Sequence, residues 1–311
     1  MEIKDNILTT KLRSHIKVEG LRPDASLFMR SLLSIFWYTA SPYIFVLIVV
    51  VISCLKLLPP WLLLVVSFPL LLAAQRCGQT LIHDLAHKFF SPNTKKNDFL
   101  GNYLVGGWVG VSVPVYRNIH LQHHKYNGSN KDPEFIDFEV IKQRGGLLIH
   151  CLRYVAGLEA LRLVKKYYGK ASIDTGVSGR TVSTKVQTSK LHIFLCQFVL
   201  ACIFHFVADA WYLYGFWLYL AVSWNPLLSN LRFLVEHPGE TDLTVSTTSN
   251  TIELLYFAPY NFNYHLEHHL WPSIPSYHLA SVHEYLKENT YFERHPEFLG
   301  LGYISLLRGR N

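Results

Sequence analysis

Charge is scarce in this chain. Of its 311 residues only 16% are Asp, Glu, Lys or Arg, against about 25% in an ordinary soluble domain, which excludes a water-facing surface over the whole length. Cysteine is sparse too: Cys54, Cys77, Cys151, Cys196 and Cys202 make no close pair and lie in or beside apolar stretches. They read as small core residues, and they exclude a disulfide frame or a Cys-based zinc knuckle. There is no glycine-rich phosphate loop and no nucleic-acid motif, so those classes of partner fall away. Residues 1–30 are mixed in charge and too polar for a secretory signal. The first apolar run is therefore expected to act as an uncleaved anchor.

What the chain has instead is hydrocarbon. Half of it is hydrophobic, and no charge occurs in 31–55, 57–75, 191–208 or 211–231. Each run approaches the roughly 20 apolar residues needed to cross a membrane core of about 30 Å. These runs predict an all-α integral membrane protein with four spans in two hairpins, and a single domain over 31–311 behind a cytoplasmic arm at 1–30. Lys56 to Pro60 turn the first hairpin, and Asp209 with Ala210 the second; all other Lys and Arg fall on the opposite side. By the positive-inside rule, that side is cytoplasmic and holds both termini. Trp61, Trp211, Tyr212 and Tyr214 sit where an outer aromatic belt would lie. The glycine-interrupted stretch 99–115 predicts a short interfacial helix. An amphipathic surface helix is expected over 146–165, and 169–190, rich in Ser, Thr and Gly, reads as a loop.

Sixteen histidines are present, and nine of them are placed just beyond the apolar runs. His83 and His87 stand at i and i+4; His120, His123 and His124 share the pattern His-x-x-His-His with His265, His268 and His269; His237 stands alone. Residues three and four apart lie on one helix face, so each group aims its imidazoles in one direction. Neutral imidazole is the commonest metal ligand and suits iron, zinc, copper and nickel. Nine exceed the about four to six ligands of one ion but serve two. The second and fourth runs have no stop signal before His83 and His237, so their helices are expected to carry these ligands out of the bilayer. The remaining seven, His15, His150, His192, His205, His278, His283 and His295, read as structural. Asp84, Asp132, Glu134, Glu236 and Glu267 are candidates to orient ligating imidazoles through their outer N–H groups, although Asp132 and Glu134 read equally well as loop charges.

An all-imidazole site beside lipid restricts the chemistry. A hydrolytic zinc site takes three protein ligands and water, fewer than the chain offers even for two ions. Soluble di-iron proteins place carboxylates and histidines in a helical bundle. A histidine-rich di-iron centre that activates oxygen against an unactivated C–H bond is the best chemical fit. A zinc-dependent membrane hydrolase and a non-catalytic metal sensor remain as alternatives.

The boxes resemble those of the membrane fatty acid desaturase and hydroxylase superfamily: His83–His87, His120–His124, Glu236-His237, and the run from Asn263 through His265, Leu266, Glu267, His268 and His269 to Pro272. The resemblance covers roughly 76–280. It implies a mushroom-shaped bundle of four spans, two iron ions, O2 as co-substrate and an external electron donor. Some relatives carry, one turn before the lone histidine, an asparagine that binds a metal-bridging water. Phe233 stands there instead, and Asn230, near the same face, is the substitute. His237-Pro238-Gly239 invites comparison with a His-Pro-Gly-Gly haem signature, but Glu240 is fourth. No fused haem, flavin or iron–sulfur module is visible, so electrons are expected from a ferredoxin or cytochrome-type partner with its reductase. The expected activity is an acyl-lipid desaturase acting on a lipid or carrier-linked chain, with a hydroxylase or carotenoid ketolase as the alternative. A bacterial inner membrane is favoured over an endoplasmic reticulum.

Overall fold

The computed structural model describes residues 20–127, 129, 131–136, 138–168, 173, 174, 181, 182, 189–238 and 244–308. Most of the N-terminal arm with His15, most of the loop 169–190, and Gly239 with Glu240 lie outside the described residues.

Helix dominates, as the composition predicts. Helix α1 spans Leu32–Cys54, and the Ser31 hydroxyl caps it by accepting from Ser34 N–H. Helix α2 spans Pro60–Ala86 and opens on Pro60, where a missing N–H removes no helical bond. At 23 and 27 residues, these are the two helices among the described residues that are long and apolar enough to cross a membrane. With 1.5 Å per residue they extend about 34 and about 40 Å. Leu33, Phe36, Trp37, Leu47 and Val51 of α1 all face outward and exposed, a surface that water would oppose and lipid would not. From Leu71 to Ala86, by contrast, nearly every side chain of α2 is buried.

The second apolar pair does not form two long helices. Helix α3, Val113–Tyr126, comes first in the chain. Helix α4 then covers Leu191–Cys202 and passes into a π-helical turn, Ile203–Val207. The run 211–231 divides into α5, Tyr212–Val222, and α6, Trp224–Glu236, at Ser223 with φ −119° and ψ −82°. Pro226 has no N–H for the carbonyl of Val222, and the Ser223 hydroxyl donates to Tyr219 O at 2.6 Å. The polar end of this run is thus a separate helix from its apolar beginning.

The stretch 99–115 is helical as far as Val109: Thr94–Gly101 leads into a π-helical turn, Asn102–Gly106, and Gly107–Val109, closed by Gly110 at φ +73° before α3 begins at Val113. The single amphipathic helix expected over 146–165 is two helices, Gly146–Val155 and Ala160–Tyr168, parted at Gly157 with φ +73°. Leu148, Leu152, Leu158 and Leu161 along them are exposed. The main core forms where α1, α2 and the π-turn after α4 meet α5, around Val49, Leu71, Phe204, Leu213 and Trp217. A second core, with Leu266, Leu270, Trp271, Leu279 and Leu286, supports the third histidine group. Strand Ser246–Thr248 pairs in parallel with Leu299–Leu301, Ser246 opposite Leu299. The five cysteines are free.

Candidate metal centre

Four helix ends deliver the nine histidines. His83 lies in the last turn of α2, and His87 caps it through N–H bonds to Asp84 O and Leu85 O. Helix α3 presents His120, His123 and His124 toward its end. His237 caps α6, donating its N–H to Phe233 O. Helix α7, His265–Leu270, is wholly buried and carries His265, His268 and His269. A helix C-terminus bears a partial negative charge of about half an electron. Four such ends pointing toward one region favour positive charge there.

Specific bonds hold these ends in place. Arg117 of α3 donates to Ala86 O at 2.9 Å and Leu85 O at 3.0 Å, and pairs with Asp98. It satisfies the Ala86 carbonyl at the end of α2, adds a bond to Leu85 O, and joins the first histidine group to the second. Helix α7 is short and is pinned from outside. Ser246 Oγ accepts from Leu266 N–H at 3.0 Å, and Asn263 Nδ2 donates to Thr247 O at 2.8 Å.

The imidazoles form two clusters. One holds His83, His87, His120, His124 and His268; the other holds His123, His237, His265 and His269; in each, the candidate ligand nitrogens lie within 4.8 Å of one another. His124 Nε2 is 2.9 Å from His120 Nε2 and 3.0 Å from His268 Nε2. His237 Nε2 is 3.0 Å from His265 Nε2, and His123 Nε2 is 3.3 Å from His269 Nε2. The clusters adjoin: the rings of His124 and His269 are 4.3 Å apart.

These residues fit a pair of metal ions. Two nitrogens each about 2.1 Å from one ion, at angles between octahedral and tetrahedral, stand about 3.0–3.4 Å apart, close to the spacings above. Both nitrogens of His83 and Nε2 of His87 are buried with no hydrogen-bond partner. Each unpartnered buried polar atom costs about 1–3 kcal/mol, a penalty removed when a Lewis acid takes the lone pair. Burial first, and crowding by like imidazoles second, hold His124, His237, His265, His268 and His269 well below the ordinary histidine range. The rings are therefore neutral donors.

The surrounding carboxylates divide in a way that their positions in the chain do not suggest. His123 Nδ1 donates to Asp132 Oδ2 at 2.9 Å, and His120 Nδ1 to Glu134 Oε2 at 3.2 Å, so these two are more than loop charges. Burial alone would lower His123, but the Asp132 carboxylate outweighs it and raises this imidazole above its ordinary value. Glu236 Oε2 lies 3.4 Å from His265 Nε2. Asp84 and Glu267 meet other groups: Asp84 accepts from the Ser276 hydroxyl, and Glu267 binds Ser246 and His283. They anchor the segments around the third group instead of a cluster imidazole. Asn230 lines the cavity beside the clusters, and its Nδ2 donates to Pro226 O at 2.7 Å. Phe233 packs its ring 4.5 Å from that of His237.

Two residues of the site have no signal in the periodicity. Arg232, buried on α6, donates Nε to both oxygens of Glu236 at 2.7 and 2.8 Å and Nη2 to His265 Nδ1 at 3.2 Å. This bond leaves Nε2 as the His265 nitrogen that faces His237. Desolvation works against the guanidinium, yet the Glu236 carboxylate keeps it above its ordinary value. The second, His283, read from sequence as merely structural, donates Nδ1 to Glu267 Oε1 at 2.6 Å. The i, i+4 spacing of Arg232 and Glu236 is visible in the chain, but an apolar-run reading treats that stretch only as the end of a span.

A cavity of about 720 Å³ opens beside the clusters, with His83, His120, His237 and His265 in its wall and Trp217, Leu218 and Val222 farther along. Fold and site together define a helical protein built around two converging imidazole clusters that adjoin a largely apolar cavity. The chain belongs to the fatty acid desaturase family, whose model matches residues 59–299 and so takes in all nine clustered histidines. A search of the curated proteins returned no match.

Proposed function

We propose that this chain is an oxygen-dependent di-iron membrane desaturase that introduces a carbon–carbon double bond into a fatty acyl or lipid chain. One observation carries the reading: nine imidazoles gather in groups of five and four, and five of them, His83, His120, His123, His237 and His265, line a largely apolar cavity of about 720 Å³. Family membership supports it. His83, His87, His120, His124 and His268 would hold one iron, and His123, His237, His265 and His269 the other. When bound, the two irons supply the oxygen-derived oxidant that acid–base groups cannot provide for an unactivated C–H bond.

The chain's own residues do the rest. Asp132 and Glu134 fix which nitrogen of His123 and His120 points inward. Arg232 holds the ring of His265 in place from its Nδ1 side and keeps the Glu236 charge neutralised beside the site. Thr80, Val109, Trp217 and Val222 shape the cavity that excludes water and holds the substrate carbons against the histidines. In the overall reaction, two hydrogens leave the chain; with two electrons and two protons from outside they reduce O2 to two waters. The electrons come from a separate donor, a ferredoxin or cytochrome-type protein with its reductase. The protein crosses the membrane four times, α1 and α2 as one hairpin and the segments 191–208 and 211–231 as the other. Both termini and the clusters lie on the cytoplasmic side, where the Lys and Arg are concentrated.

The test is expression in a host of known lipid composition, wild type beside His268→Ala. A lipid lighter by two hydrogens that appears only with the wild type supports the desaturase. A species heavier by one oxygen would instead make the protein a hydroxylase with the same site. Zinc as the sole bound metal, with product formed without oxygen, would refute both.

A further inference from the structure

A second cavity, of about 270 Å³, lies behind the first. Its wall is almost wholly apolar, with Val46, Val50, Ala74, Leu200 and Ile203 among its members. Two side chains, Val109 and Trp217, belong to the walls of both cavities. Helix α2 separates the two by its faces. Arg76, Thr80 and His83 line the first cavity, whereas Ala74 and Gly78 line the second. From His83 to Arg76 the first cavity thus follows α2 for about 10 Å, away from the clusters.

The partition is built, not incidental. A Cβ at Gly78 would come within 2.5 Å of Val109 Cγ1, so only glycine at this point of α2 lets Val109 seat against the helix. Trp217 is 3% exposed, and Gln75 Nε2 donates to its carbonyl at 2.7 Å, tying the backbone of α5 to α2 at the level of the partition. A cavity with so apolar a wall accepts apolar guests. The two cavities thus lie on different faces of α2, with Val109 and Trp217 as the wall between them.

We propose that Trp217 and Val109 form the stop that sets the longest acyl chain this protein accepts, and that the second cavity is an annex able to take the methyl end of longer chains once that stop is cut back. This rests on the acyl-chain reading above. Each additional methylene moved from water into an apolar wall improves binding by about fourfold, so opening the annex favours longer substrates by about that factor per carbon until it is full.

The experiment feeds a homologous series of straight-chain fatty acids to cells expressing wild type, Trp217→Ala, Val109→Ala, or Trp217→Ala combined with Val50→Trp. Mass spectrometry gives the ratio of dehydrogenated to saturated chain at each length. The wild-type ratio should fall steeply beyond one length. Both single variants should move that fall to longer chains, and Val50→Trp, which refills the annex, should move it back. Should Trp217→Ala fail to accumulate, Val109→Ala decides by the same readout. Product at unshifted lengths in Val109→Ala, or in both single variants, overturns the stop while leaving the desaturase reading intact. A wild type that yields no chain lighter by two hydrogens overturns that reading, and the stop with it.

Discussion

Asp132 is where the logic of the centre is most exposed to test. Its side chain is fully buried, with Oδ2 accepting from His123 Nδ1 at 2.9 Å and Oδ1 from the backbone N–H of Glu134 at 2.9 Å. One carboxylate therefore orients a ligand of the four-histidine cluster and positions the residue that pairs with His120 in the five-histidine cluster. Asp132→Asn keeps the shape but replaces a charge-assisted bond of about 1.5–3 kcal/mol with a neutral one of about 0.5–1.5 kcal/mol. The difference, about 1–1.5 kcal/mol, corresponds to iron held about 5- to 10-fold less tightly. Asp132→Ala removes both acceptors and leaves the buried His123 Nδ1–H without its carboxylate; outer-sphere losses of this kind typically weaken metal binding about 10- to 100-fold. The assay is iron per chain by mass spectrometry after dialysis of natively purified protein against graded chelator, with turnover followed in parallel. Glu159→Ala is the control, since Glu159 pairs with Arg153 and Arg162, outside the clusters, and it should leave iron retention unchanged. If Asp132→Ala also retains iron like the wild type, the carboxylate does not orient His123 and the argument from buried partners fails.

Three further outcomes are expected. Arg117→Ala should lower stability in detergent by about 2–3 kcal/mol, as charged hydrogen bonds to buried carbonyls are lost, and should release iron as well, because that side chain couples the ends of α2 and α3; the unfolding midpoint and iron content check both. Arg76→Ala should be more damaging, about 3–5 kcal/mol, because each stranded buried acceptor costs about 1–3 kcal/mol: this side chain is 1% exposed, and its removal strands acceptors on Asn225, Ser229, Tyr256 and Phe257. Loss of the monodisperse peak in size exclusion would show it, and an unchanged profile and midpoint would count against the clamp. Stripping the metal should lower the thermal midpoint of the wild type, since nine crowded imidazoles are then left without the ions that join them. Ferrous iron should restore it and magnesium should not, because imidazole is a poor ligand for magnesium.

Much of the centre is legible in the order of the residues. The repeated His-x-x-His-His spacing places three imidazoles on one face of α3 and of α7, and the lack of a stop signal after Gln75 correctly extends α2 through His83. The break at Ser223 is not legible there, because a hydropathy run counts Pro226 as one residue among many and not as a missing hydrogen bond. The carboxylates show a different limit. Asp84 and Glu267 stand beside histidines in the chain yet serve Ser276, Ser246 and His283. Asp132 and Glu134, beyond the end of α3, return to His123 and His120. Adjacency in sequence puts neighbouring helical side chains on different faces, so it is a poor guide to which of them touch.

Residue identity and helical period are sufficient to reveal a strongly apolar helical chain with more imidazole than one ion can use, because both properties are local: they depend on neighbours within a turn or two. Which five histidines share one cluster and which four share the other is not local. His124 and His268 are 144 residues apart yet 3.0 Å in space, and what joins them is the packing of α2, α3, α6 and α7 through Arg117, Ser246 and Arg232. The same holds for the wall between the two cavities, where a glycine on α2 makes room for a valine 31 residues later in the chain. Such contacts depend on how separate helices fill the space between them, and no periodicity encodes that.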